Sequence, residues 1–253
     1  MNKNPFYYSI GTRVRDPIFA KMFGPVKDFL DVGCGLGYFT DYFAKKGATS
    51  TGIDLDERCL EYCNREMQGD YIHWDLTSFP YPFPDGSFDA VLCSEVLEHI
   101  QDNGRVVDEI YRLLKPGGVF VASVPCKEGI FGAFFKNIGH SQVDDNSLEY
   151  HYHKGFDRNS LTRLLTDHGI TVTEIQYTMV AAVEVFMGLT KIFVGKRQAK
   201  NIDSQADALN MTKGGVWGLY RRMFPVLLAV GAVEQPLGKW LRGHMIIAKG
   251  VKK

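Results

Sequence analysis

Three glycines at alternate positions, Gly33, Gly35 and Gly37, follow directly on the apolar run Phe29-Leu-Asp-Val32. A buried strand that stops at such a turn and resumes as a helix brings bare backbone and a helix N-terminus against a ligand. Asp31 lies within the strand's last residues, and Asp54 closes the next apolar segment, Thr51-Gly-Ile-Asp54. An acidic side chain about 20 residues beyond a glycine turn is where nucleotide-binding folds hold the two hydroxyls of a ribose. The chemistry these residues offer is therefore the binding of a nucleoside-bearing small molecule. The spacing is not the G-x-G-x-x-G of nicotinamide-binding folds. Taken alone, the glycines would also suit an ordinary tight turn, and the segments downstream decide between the two.

Those segments alternate strand and helix signals. Gln68–Asp75 reads as a third strand, followed by Leu76, and Pro84–Asp89 as a turn into a fourth strand, Ala90–Cys93. Ser94-Glu-Val-Leu-Glu-His99 comes next. Val106, Val107, Ile110, Leu113 and Leu114 recur at three-and-four spacing and predict a helix over Asn103–Leu114. Lys115-Pro-Gly-Gly118 stops it, before a fifth strand over Val119–Val124. Asp157 or Asn159 caps a helix over Arg158–His168. Thr171–Tyr177 alternates at period two as strand six, and His244–Lys249 reads as strand seven.

From about residue 26 to 178 this order resembles the class I S-adenosylmethionine-dependent methyltransferases. The resemblance implies a doubly wound, Rossmann-like α/β fold: a seven-stranded, mostly parallel sheet with an antiparallel last strand. It implies S-adenosylmethionine as cofactor, with its methionine part against Gly33, Cys34, Gly35 and Gly37 and its carboxylate at the helix start. Asp31 and Ser94 belong to the same site, Asp54 and Leu55 reach the ribose, and Asp75 and Leu76 reach the adenine. Glu95, in the segment after strand four, contacts cofactor or acceptor. Tyr8 and Arg13, from a lead-in that often closes over the cofactor in related enzymes, are further cofactor candidates, weighed against simple core packing.

Methyl transfer from a sulfonium is an in-line displacement with a neutral leaving group, so positioning and exclusion of water matter most. A base is needed only where the acceptor must lose a proton. His99, His140, His151 and His153 are the candidates, and His99 and His153 are assigned the catalytic role; structural hydrogen bonding is the competing reading for each. The phrase His153-Lys-Gly-Phe156 before Asn159-Ser-Leu161 resembles family members acting on lipid-linked or cell-surface substrates. The expected acceptor is a hydroxyl or similar group on an apolar or lipid-linked small molecule. A soluble aromatic, quinone-precursor or sugar acceptor, nitrogen as the nucleophile, and a binding protein without catalysis remain alternatives.

Four stretches divide the 253 residues: a helical lead-in over 1–25, a core over 26–178, a helical insertion or cap over 179–243, and a final strand and tail over 244–253. Met179–Val194 is apolar around nearly its whole circumference, and Val216–Val233 is apolar again, with Pro225 expected to break or start a helix. The insertion either packs as a helical pair, with a homodimer among its uses, or caps the acceptor pocket and rests on a membrane surface. Charges balance, 29 basic against 29 acidic, which gives no footprint for nucleic acid. The five cysteines show no metal-ligand spacing and no secreted framework, so no metal and a reducing, cytoplasmic setting are expected. No apolar N-terminal signal and no run of about 18 apolar residues argue against export and against a spanning helix.

Overall fold

The computed structural model describes residues 4–127, 151–178, 205–207, 209 and 215–253. His140 and the apolar segment over residues 179–194 lie outside the described residues. Seven strands form one sheet: β1 (Asp28–Val32), β2 (Thr49–Asp54), β3 (Asp70–His73), β4 (Phe88–Ser94), β5 (Leu114–Pro125), β6 (Ile170–Thr178) and β7 (Met245–Lys252), in the order β3-β2-β1-β4-β5-β7-β6. Neighbours pair in parallel except β7, which runs antiparallel between β5 and β6. The sheet is thus the mixed one expected, with its order reversing between β1 and β4. Open α/β sheets bind ligands in the crevice at such a switch point, beyond the carboxyl ends of the strands.

Alternation along the central strands feeds two cores. Leu30, Val32, Val91, Cys93, Phe120 and Ala122 face the helices α5 (Asn103–Leu113) and α6 (Arg158–Asp167) through Val106, Val107, Ile110 and Leu161. Phe29, Ala90, Leu92 and Val121, one residue out of phase, face α2 (Asp16–Phe23) and α3 (Tyr38–Ala44) through Phe19, Met22, Phe39 and Phe43. Strands buried on both faces read as continuous apolar runs, as Ala90–Cys93 does. α4 (Glu57–Glu66) starts at Asp56, whose carboxylate accepts from the backbone N–H of Arg58 and Cys59.

Residues before β1 form the short helical turns Pro5–Tyr8 and α1 (Ile10–Arg13), then α2. They are held onto the glycine turn and α3. Asn4 Nδ2 donates to the Leu36 carbonyl at 2.7 Å, Tyr38 donates to Asp16 at 2.8 Å, and Tyr7 donates to Asp41, which also pairs with Lys45 at 2.5 Å.

Between β6 and β7 a helix α7 (Gly215–Glu234) runs straight through Pro225. The expected break does not occur. The proline removes the hydrogen bond to the Arg221 carbonyl, but it lies on the helix's exposed side, where water can serve that carbonyl. The opposite side of α7 packs Phe224, Tyr220, Leu227 and Leu228 against Ile10, Val14 and Met245.

Candidate cofactor and acceptor site

The glycine turn is built from backbone conformations that a side chain would strain. Gly33, Gly35 and Gly37 have φ of 75°, 50° and 70°. A Cβ on Gly37 would meet Tyr71 and Cys63 at 2.7–2.8 Å, and one on Gly33 would overlap Val96. Most of the turn's amides are already committed. Gly33 and Cys34 donate to the Ile53 carbonyl at 2.9 and 3.1 Å, Gly37 to the Cys34 carbonyl at 2.8 Å, and Gly35 to Asp54 Oδ2 at 2.7 Å. The turn therefore offers shape and closeness more than a row of donors, as room for the methionine part requires.

Asp54 joins the turn to the end of β2. Its second oxygen accepts from the Asp56 N–H at 2.9 Å, and each carboxylate oxygen keeps lone-pair capacity for a diol. Burial pushes its carboxyl up, against the pull of the bonds from Asp56 and Gly35. Leu55 beside it is exposed. The backbone N–H of Trp74 donates to the Asp54 carbonyl at 2.9 Å, which carries β3 on to Asp75. Asp75 Oδ1 accepts from both the N–H and the hydroxyl of Thr77, at 2.8 and 2.7 Å, and the Leu76 carbonyl accepts from Tyr81 at 2.9 Å. The adenine candidate is thus oriented by its own turn.

Asp31 sits beneath, 2% exposed, accepting from the N–H and hydroxyl of Thr40 at 3.2 and 2.9 Å. Burial raises its carboxyl to about 7 despite those bonds, and the nearby charge of Asp54 adds to the rise. Cys34 is buried, with its thiol held well above the ordinary range by the same desolvation.

At the end of β4 the structure assembles a group that spacing alone does not reveal. Arg15, 5% exposed, donates to Ser94 Oγ at 2.8 Å and Ser123 Oγ at 3.3 Å, and pairs with Glu95. Its guanidinium also lies over the rings of Phe19 and Phe39, at 6.0 and 5.7 Å. Glu95 has φ of 59° and donates its N–H to the Ser123 carbonyl at 2.7 Å. A non-glycine residue in the left-handed region persists only where its surroundings over-determine it. Here Arg15, Ser94 and β5 do so. The lead-in residue at this end is Arg15. Arg13 is committed to Asp16 at 2.8 Å, and Tyr8 lies against α7, with Arg221 over its ring at 4.5 Å and bonded to its hydroxyl. The one sequence signal for Arg15 is a basic residue in a lead-in that carries the apolar residues Ile10, Val14 and Ile18.

His99 lies in the turn after β4, edge to face with His151 at 4.5 Å between ring centroids. The His153 imidazole sits on the carbonyls of Ile100 and Gln101 at 3.1 and 3.3 Å, and the His153 backbone N–H donates to the Glu98 carbonyl at 3.1 Å. The structure thus brings His151, rather than His153, to His99. The stretch after β6 also reaches the site: Gln205 lies over Gly35, and Ala206 is buried with Cys34, Leu36, Cys63 and Tyr71. Nothing in the sequence ties that short segment to the glycine turn.

A glycine turn at the switch point of such a sheet, with acidic groups ending β2 and following β3, defines a nucleoside-binding α/β domain. Residues 30–122 match the methyltransferase domain family, and the chain is similar over that stretch to S-adenosylmethionine-dependent methyltransferases. A relative named a probable S-adenosylmethionine-dependent methyltransferase, from Mycolicibacterium smegmatis, is 32% identical over 149 residues, covering 58% of this chain and 53% of the relative. A ubiquinone biosynthesis O-methyltransferase from Thiobacillus denitrificans is 41% identical over 97 residues, covering 36% of this chain and 41% of the relative. The chain thus spans about half or less of the length of these curated relatives. In fold it is similar to a methyltransferase of the same cofactor class from Archaeoglobus fulgidus, with a TM-score of 0.61, 18% identity, and 99% and 97% of the two chains covered.

Proposed function

We propose that this chain is an enzyme that moves the methyl group of S-adenosylmethionine onto a hydroxyl, or a similar nucleophile, of an apolar or lipid-linked small molecule. The observation that carries the reading is the junction of Gly35 with Asp54 at 2.7 Å, which sets a ribose-competent carboxylate against a side-chain-free turn. The donor set suits the cofactor: shape for the methionine part, Asp54 for the diol, and Asp75 two residues beyond β3 for the base.

The cofactor supplies an electrophilic methyl on a cationic sulfur. The chain's residues bind, orient and exclude water. Arg15 holds Glu95 and Ser94 at the end of β4, where acceptor and cofactor would meet. His99, in the same turn, is the group we assign to the acceptor, and His153 the one that fixes the loop beside it. An apolar acceptor is favoured by two observations. One relative acts, by its name, in ubiquinone biosynthesis. The second is an exposed apolar stripe: Met223, Val226, Val230, Val233, Leu237 and Trp240 recur at helical spacing along α7 and the turn after it. Arg222 and Lys239 flank it, the composition of an element that rests on an anionic lipid surface. No described helix is long and apolar enough to cross a membrane.

Incubation with methyl-labelled S-adenosylmethionine and separate lipid and aqueous extracts tests the reading. Label is expected in the lipid fraction. Label confined to the aqueous fraction would replace the acceptor by a soluble aromatic or sugar. Cofactor binding by calorimetry without any labelled product would leave only a binding protein.

A further inference from the structure

The turn after β4 and the segment leading into α6 bring three metal-ligating side chains together. Glu98, His99 and His151 each offer one ligand atom, and all three atoms lie within 4.8 Å of one another. Glu98 is 1% exposed, His99 half-buried and His151 exposed, so the cluster opens from the core toward solvent. We propose that these three residues bind a divalent transition-metal ion, and that the ion's remaining coordination positions take an oxygen of the methyl acceptor; the second half rests on the methyltransferase reading above.

The ligand set selects the class of ion. Two imidazoles and one carboxylate suit zinc, iron(II), cobalt(II) or manganese(II), whereas magnesium and calcium favour all-oxygen shells. Bonds of about 2.0–2.2 Å place any two ligand atoms at most about 4.4 Å apart. The three atoms, all within 4.8 Å of one another, are close enough for side-chain rotation to bring them onto one ion.

The surroundings hold the cluster in shape. Glu98 and His99 share one turn, and the His99 N–H donates to the Val96 carbonyl at 2.9 Å. His151 belongs to another segment, but its neighbour His153 pins that segment to the turn through its N–H on the Glu98 carbonyl and its ring on Ile100 and Gln101. Three protein ligands leave open positions, the arrangement of catalytic rather than structural metal sites. An acceptor hydroxyl bound there would lose its proton to solvent more readily. His99 then acts through the ion and not as a free base.

The test uses the full chain without a histidine tag, stripped with EDTA and titrated with cobalt(II) while the visible spectrum is followed. Expected are one ion per chain by elemental analysis, visible bands typical of a low-coordinate cobalt(II) site, and displacement by zinc. His151→Ala should weaken cobalt binding more than tenfold, because removing a ligand exceeds the 10–100-fold effects known even for outer-shell partners. Glu98→Gln should do the same should His151→Ala misfold. Calorimetry with S-adenosylmethionine on the same samples should give unchanged cofactor binding in His151→Ala. Wild-type protein with no stoichiometric ion, or His151→Ala binding cobalt as wild type does, overturns the site. Cobalt binding without any cofactor binding would leave the metal site standing and remove the methyltransferase reading.

Discussion

The two ends of the candidate site are made in different ways. The cofactor end is contiguous: β1, the glycine turn and α3 follow one another, and Asp54 joins them by a single backbone bond to Gly35. The acceptor end gathers Arg15 from the lead-in, Glu95 and His99 from the turn after β4, Ser123 from β5, and His151 from the approach to α6. The first end is fixed by local backbone geometry and tolerates little. The second is fixed by tertiary contacts between side chains, and can be altered without dismantling the first.

Breaking the cofactor end should have the largest effect. Gly37→Val places a branched side chain at φ 70°, into Tyr71 and Cys63. Strain and overlap together should lower stability by about 3–5 kcal/mol and abolish cofactor binding. Thermal unfolding and calorimetry check this, and near-normal cofactor affinity would show that the turn does not shape the site. At the acceptor end, Arg15→Met should leave cofactor affinity within about threefold while turnover falls roughly a hundredfold, as Glu95 and Ser94 lose their support. Arg15→Lys should recover little, since a point charge cannot serve Ser94, Ser123 and Glu95 at once. Equal losses of affinity and turnover would erase the distinction between the two ends.

Asp31 ties the cofactor end to pH. Its folded carboxyl, raised to about 7, binds a proton more tightly than in the unfolded chain, where it sits near 3.9. Between about pH 4 and 7 the folded state carries the extra proton, so stability falls as pH rises through that window and levels off above it. The full span corresponds to at most about 4 kcal/mol. Asp31→Asn retains an acceptor for Thr40 without a charge, and should flatten that slope in denaturant melts at pH 5, 6 and 7. An unchanged slope would place the titration elsewhere.

The same division governs what the sequence made legible. Strand positions were readable to within a residue or so for β1 and β6, because a buried strand announces itself as a short apolar or alternating run. β5 begins earlier than expected, at Leu114, because Lys115 turns straight out of the helix to hold Asp28 and Asp89 at 2.6 and 2.9 Å. The glycines and Asp54 were legible because the conformation they demand is local. Arg15 was not, since its role depends on three elements meeting. His151 and His153 were indistinguishable as types, and only the path of their segment sends one to His99 and the other to backbone carbonyls. The proposed ligands Glu98, His99 and His151 were not legible for the same reason: side chains drawn from two distant segments leave no spacing to read.

The apolar stripe of α7 gives the smallest intrinsic effect and the finest test of the acceptor end. Val226 and Val233 are 64% and 78% exposed, and Trp240 is 85% exposed, while the other side of the helix is packed on the lead-in. Substituting exposed residues should change stability by no more than about 0.5 kcal/mol. Val226→Gln with Val233→Gln should therefore leave the melting curve and cofactor binding as in wild type, yet reduce co-flotation with vesicles containing anionic lipid. Trp240→Ala should reduce it further, since an interfacial indole contributes both apolar area and a hydrogen-bond donor. Flotation that is absent in wild type, or indifferent to all three changes, would assign the stripe to protein contacts; a dimer by ultracentrifugation that dissociates in the double glutamine variant would then name the second copy as its partner.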